Sequence, residues 1–251
     1  MGAANKAKPI IERVSDSEEL AKTAHDMFIR SATEAISGGR RFHVAISGGH
    51  TPTRLFELLG ESPQSLGLDW GSVEMFWVDE RCVPPNAEAS NYHLAASTFL
   101  DKVSIPAENV HRVCGECIDY SHAVQEYQET IRRVFKLRPG DIPEFDLIVL
   151  GMGADGHIGS LFPNSYALFE TEDLASVVYM TGGDYGRITL TNPVICAAKS
   201  IMILVCGAEK AETLKDVLGS EPDHIKYPVH RLWPILHRVT WIVDDDAGKY
   251  L

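Results

Sequence analysis

The chain has 251 residues, 45% of them hydrophobic, with ordinary aromatic, glycine and proline contents; this excludes a disordered or fibrous protein and leaves room for a full core. Its 35 acidic and 23 basic residues give a formal charge of −12, which repels nucleic acid and anionic lipid over most of the surface and argues against both as partners. An anionic metabolite is repelled too, so a site for one needs local Arg, Lys and backbone N–H groups.

In chain order, the polar start Met1 to Ile10 lacks the apolar core of a signal peptide. Ser15, Asp16, Ser17 and Glu18 read as a capping box opening a helix. Leu20, Ala24, Met27, Phe28, Ala35 and Ile36 continue it at helical spacing, and Gly38-Gly39 ends it. Residues 42–46 are taken as the first strand. Ser47-Gly48-Gly49-His50-Thr51-Pro52 follows, with Thr51 expected as N-cap and Pro52 as the first residue of a helix.

The alternation continues. Residues 73–78 read as a strand ahead of Asp79-Glu80-Arg81, Ser90-Asn91 caps a helix to Leu100, and residues 119–135 are helical. Residues 145–150 form an apolar strand running into Gly151-Met152-Gly153-Ala154-Asp155-Gly156-His157. Asp184 to Arg187 looks like a loop before a short strand at 188–191. Further strands are expected at 201–205 and 239–243, with a helix over 209–218 between them.

Strands that are apolar throughout indicate an α/β fold, a mainly parallel Rossmann-like sheet with helices on both faces. Arg138-Pro139-Gly140-Asp141 is a turn rather than a linker, so residues 1–251 are read as one domain. The longest mostly apolar stretch, 200–208, is far short of the ~18 residues that span a bilayer. Five cysteines, an odd number, speak against a disulfide framework and for a reducing, cytoplasmic setting. Cys114 and Cys117 form a single C-x-x-C without a second pair, which is read as two incidental thiols, with no metal site.

In parallel sheets, ligands gather at the carboxyl ends of strands, where the polar clusters lie. The glycine turn at Ser47, Gly48 and Gly49, with Thr51 beside it, offers unpaired N–H groups to phosphate. Arg81 has the guanidinium fork that suits phosphate, with Asp79 and Glu80 to orient it or to meet sugar hydroxyls. His157, in a loop of four glycines, is a general-base candidate, and Asp155 can fix its tautomer. Lys210 falls in a first helical turn, a poor place for a cation unless an anion is near. Arg187 is a lone basic residue in a glycine-containing loop. His230 and His237 read as packing or surface histidines, and Asp244-Asp245-Asp246 as a solvated strand end.

SGGHTP at 47–52, VDERCVPP at 78–85, SNYHL at 90–94, LGMGADGHIGSLFP at 150–163, RITLT at 187–191 and CGAEKAETL at 206–214 together resemble the 6-phosphogluconolactonase family. The resemblance runs from about residue 10 to Gly248. It implies a fold shared with glucosamine-6-phosphate deaminases and ribose-5-phosphate isomerases. It also implies hydrolysis of 6-phosphoglucono-1,5-lactone in the oxidative pentose phosphate pathway, by a monomer or homodimer without a cofactor. His157 then resembles the general base, Arg81 and Lys210 the phosphate-binding groups, and Ser47, Gly48 and Gly49 the glycine-loop contact. The sequence differs from the family in having His50 where a small residue is common, in lacking prolines over 182–186, and in a loose match at 227–230. A sugar-phosphate deaminase or isomerase is the alternative, but such deaminases carry a carboxylate soon after the histidine, and here no acid precedes Glu170. A non-catalytic sugar-phosphate sensor would need a DNA-binding module, for which the forty or so residues before residue 42 provide little.

Overall fold

The computed structural model describes residues 8–179 and 185–251, so the expectations for residues 1–7 and for Gly182, Gly183 and Asp184 lie outside the described residues. The strands are β1 (Ile10–Val14), β2 (Phe42–Ile46), β3 (Val73–Trp77), β4 (Asp79–Arg81), β5 (Val110–His111), β6 (Leu147–Gly151), β7 (Ala175–Val178), β8 (Arg187–Leu190), β9 (Ile201–Val205) and β10 (Val239–Asp244). The helices are α1 (Ser17–Ser37), α2 (Thr53–Glu61), α3 (Pro63–Leu66), α4 (Asn91–Thr98), α5 (Tyr120–Phe135), α6 (Asn192–Ala197) and α7 (Ala211–Gly219).

Seven strands pair in parallel in the order β1-β10-β9-β6-β2-β3-β5. The chain runs outward from β2 through β3 to β5 on one side, and from β6 through β9 to β10 on the other. The order therefore reverses between β2 and β6, which opens a crevice beyond their carboxyl ends. The residues of β3 and β9 are all buried, as expected of a sheet covered on both faces. A smaller antiparallel sheet, β4-β8-β7, grows from the end of β3. At that departure the Tyr127 hydroxyl donates to Trp77 O at 2.6 Å and accepts from Trp77 N at 3.0 Å, satisfying the backbone where β3 ends.

Several expectations are corrected. The first strand is β1, not residues 42–46. Its exposed Ile-Ile-Glu-Arg-Val segment has no apolar face and is held by backbone pairing to β10. The cap of α1 lies one residue later than expected, where the Asp16 carboxylate accepts from Glu19 N at 2.9 Å. Thr51 does not cap α2, which starts at Thr53 without a side-chain cap. Asp79, Glu80 and Arg81, expected only to follow a strand, form a short strand of their own. Asp244 is buried, not solvated, and accepts from Gly207 N and Ala247 N. Cys114 and Cys117 are a disulfide with Cα atoms 5.5 Å apart; two residues between cysteines suffice for a turn that short, whatever the total count. Cys82, Cys196 and Cys206 are free.

The amino ends of β2, β6 and β9 are tied by Asp146. Its carboxylate accepts from His43 N at 3.0 Å, Arg40 Nη1 at 2.8 Å and Lys199 Nζ at 2.8 Å. Burial alone would raise its pKa, but these bonds outweigh it and hold the carboxyl well below its usual range. A depressed carboxyl stabilises the fold fully above its unfolded pKa of about 3.9 and loses that contribution as pH falls through the folded value. Asp146→Asn is expected to cost about 1.5–3 kcal/mol at pH 7. Urea unfolding should show its gap to wild type narrowing once the pH drops below roughly 4.

Candidate active site

The crevice between β2 and β6 opens into a cavity of about 350 Å³. Four strand ends supply its walls. Ser47, Gly48, Gly49, His50, Thr51 and Pro52 follow β2, Asp79 and Arg81 follow β3, Gly151, Met152, Gly153, His157 and Gly159 follow β6, and Glu209 and Lys210 follow β9. Arg187, from β8, and Asn91, from α4, complete it. Of the residues expected from sequence, Glu80 and Asp155 do not line this cavity.

His157 is about 30% exposed. Its Nδ1 lies 2.6 Å from Asp155 Oδ1, which also accepts from His157 N at 3.2 Å. A carboxylate only accepts, so Nδ1 carries a hydrogen, and the neutral tautomer this selects has its lone pair on Nε2. Burial would raise the Asp155 pKa, but the bonds and charge of His157 prevail and lower it, keeping it ionised behind the ring. The imidazole is braced by the Phe162 ring, at 4.4 Å between centroids, and by Gly153. A Cβ at Gly153 would overlap the imidazole Nδ1 and Cε1 and approach Asp155 Oδ1 to 2.7 Å.

The cavity also holds a cationic group. Arg81 and Arg187 are direct partners across the antiparallel β4–β8 pair, an arrangement in which like charges repel. Burial and then the charge of Arg81 lower the pKa of Arg187. Arg81 Nη1 donates to Ala89 O at 2.6 Å, while the buried Nε atoms of both arginines have no partner. Arg187 Cζ also lies 5.6 Å from the Phe162 centroid. Lys210 enters from the turn after β9, whose Gly207 N–H is fixed by Asp244 at 3.1 Å. With the N–H groups of the glycine turn, three cationic side chains thus share the cavity with the carboxylates of Asp79 and Glu209.

Asp79 also lines the cavity. Its Oδ2 accepts from Ser160 Oγ at 2.6 Å and its Oδ1 from Asn91 Nδ2 at 3.4 Å. Glu80 points the other way. It accepts from the backbone N–H groups of Arg81, Asn91 and Tyr92 and from Ser90 Oγ, at 2.7–3.0 Å. Burial raises its pKa against the pull of those four bonds. Of the two roles expected of Glu80, meeting substrate hydroxyls is corrected, since it does not line the cavity; its carboxylate holds the start of α4 and the backbone of Arg81. Sequence reasoning missed Ser160, Asp244 and the place of Asn91 in the cavity lining. The sequence places Asn91 in a helix cap and in the SNYHL motif, but its side-chain direction is set by packing against Gly48.

Comparison with known proteins agrees with this architecture. Residues 15–241 match the family model of glucosamine-6-phosphate isomerases/6-phosphogluconolactonase. The chain is 35% identical over 246 residues to a 6-phosphogluconolactonase of Nostoc sp., covering 97% of this chain and 99% of that one. A Synechocystis sp. 6-phosphogluconolactonase is 36% identical over 87% of this chain and 88% of its own length. Among solved structures, the 6-phosphogluconolactonase from Trypanosoma cruzi superposes with a TM-score of 0.87 at 26% identity, covering 99% of each chain. A monomeric glucosamine-6-phosphate deaminase superposes with a TM-score of 0.79 at 19% identity, over 96% of this chain and all of that one, a likeness of fold alone.

Proposed function

Because the chain belongs to the glucosamine-6-phosphate isomerase/6-phosphogluconolactonase family, we propose that it hydrolyses 6-phospho-D-glucono-1,5-lactone to 6-phospho-D-gluconate, a reaction of the oxidative pentose phosphate pathway. The observation that carries this reading is a single cavity lined by both an Asp-backed imidazole and the opposed pair Arg81 and Arg187. Two guanidiniums held together cost free energy unless a dianion bridges them, and a phosphate does so.

In this mechanism the phosphate is gripped by Arg81, Arg187, Lys210 and the turn at Ser47, Gly48, Gly49 and Thr51, placing the lactone carbonyl near His157. Nε2 takes a proton from water as its oxygen bonds to the carbonyl carbon. The tetrahedral oxyanion collapses, the bond to the ring oxygen breaks, and the imidazolium returns the proton to that oxygen. Asp155 keeps the tautomer and stabilises the imidazolium. Binding energy from the remote phosphate orients the ring.

A deaminase reading gains no support from the geometry. Glu170, the first acid after His157, is spent on Glu172 N and Asp173 N and does not line the cavity. The protein is proposed to act as a monomer or a homodimer, and the residues that line the cavity are those of this chain. We treat residues 1–251 as one catalytic unit, since one cluster of buried side chains runs from Leu20 to Ala247. No helix among the described residues is long and apolar enough to cross a membrane. A cytoplasmic setting is proposed on the three free thiols, a setting in which the Cys114–Cys117 disulfide would be open to reduction.

The test is acid release from freshly made lactone, followed against its spontaneous hydrolysis; a rate equal to the background would overturn the reading. In the same assay, Arg187→Ala and Lys210→Ala should each raise KM about 10- to 100-fold, with a smaller change in kcat, as expected for bonds to a charged group far from the reacting carbon.

A further inference from the structure

We propose that Asn91 is a specificity-determining residue that accepts a hydrogen bond from a hydroxyl of the sugar ring. The proposal rests on the lactonase reading and adds an orientation of the substrate within the cavity. Asn91 is 2% exposed, and its Oδ1 is a buried atom without a hydrogen-bond partner on a residue that lines the cavity. The amide orientation follows from its neighbours. Nδ2 faces Asp79 O at 2.8 Å and Asp79 Oδ1 at 3.4 Å, both acceptors, so a flipped amide would set oxygen against oxygen. Oδ1 is left on the side of Gly48, where an added Cβ would overlap it.

A carbonyl oxygen buried in this way is destabilising unless something donates to it. A phosphate dianion has no hydrogen to offer, and its oxygens would be repelled by Oδ1 and by the Asp79 carboxylate beside it. The ligand group meeting Asn91 is therefore a hydroxyl, and the phosphate points towards Arg81, Arg187 and Lys210. Asn91 itself is held from outside the cavity, because its backbone N–H is bound by Glu80 at 2.7 Å. Its side chain can thus be changed without removing that anchor of α4. The arrangement selects for polyhydroxylated lactones: a site built to bond a hydroxyl discriminates strongly against an analogue lacking it.

The experiment compares wild type, Asn91→Leu and Asn91→Ala on 6-phosphogluconolactone and on its single-deoxy analogues. Both variants are expected to lose about 10- to 100-fold in kcat/KM on the full substrate. For one deoxy analogue, already poor with wild type, the loss should shrink to less than about 3-fold, since the hydroxyl partner is gone. Equal losses on every analogue, or no loss on the full substrate, would overturn the proposal. Binding gives a second readout that does not need turnover. The variants should weaken 6-phosphogluconate about 10-fold while leaving inhibition by inorganic phosphate unchanged; equal weakening of both ligands would also overturn it. A wild type that binds 6-phosphogluconate but does not turn over the lactone would remove the lactonase reading and leave this binding comparison intact.

Discussion

Replacing His157 by alanine is expected to lower kcat by roughly 10²- to 10⁴-fold, the usual worth of a positioned general base. KM should stay within a few-fold of wild type, because the phosphate grip lies on other strands. The geometry makes the loss specific to chemistry. The imidazole Nδ1 is committed to Asp155 at 2.6 Å, and no hydrogen bond engages Nε2 among the described residues. Removing the ring leaves Asp155, at about 50% side-chain exposure, free to be solvated, so the fold should survive. Steady-state kinetics alongside a thermal melt would separate the two effects, and wild-type turnover in the folded variant would sink the assignment.

Gly153→Ala is expected to approach the same loss, at least about 10²-fold in kcat, although it removes no functional group. The backbone at Gly153 is not left-handed, so alanine is conformationally acceptable there. The obstacle is space: the new methyl would occupy the position of the imidazole Nδ1 and Cε1. That clash is with a side chain that can rotate rather than with fixed backbone, so folding should be little affected while the ring swings off Asp155 and out of line with the carbonyl carbon. The variant should bind 6-phosphogluconate with near-normal affinity and show an altered imidazole resonance by NMR. Wild-type kcat would mean that the ring has another equally productive position.

Much of this site was legible in the chain because each chemical cluster directly follows an apolar strand. In a parallel sheet the carboxyl ends point one way, so SGG at 47–49, DER at 79–81, GADGH at 153–157 and GAEK at 207–210 were bound to converge if their strands were neighbours. His157 and Asp155 could be paired from sequence since they are two residues apart in a tight glycine loop. Glu80 lies off the cavity because successive residues on a strand face opposite ways: Asp79 and Arg81 point to the cavity, while Glu80 turns to α4. The disulfide between Cys114 and Cys117 escaped a count of cysteines, since a local turn closes it irrespective of compartment statistics.

By itself the sequence determined the alternation of strand and helix, the chemical identity of the loops and the family, because these depend on local pattern and residue type. Only the tertiary structure decided that Arg187 stands opposite Arg81, that Asp244 fixes the loop before Lys210, and that Asn91 turns its carbonyl inward over Gly48. Those contacts join residues far apart in the chain, and they depend on strand order and on the antiparallel register of β4 and β8, which no local pattern encodes.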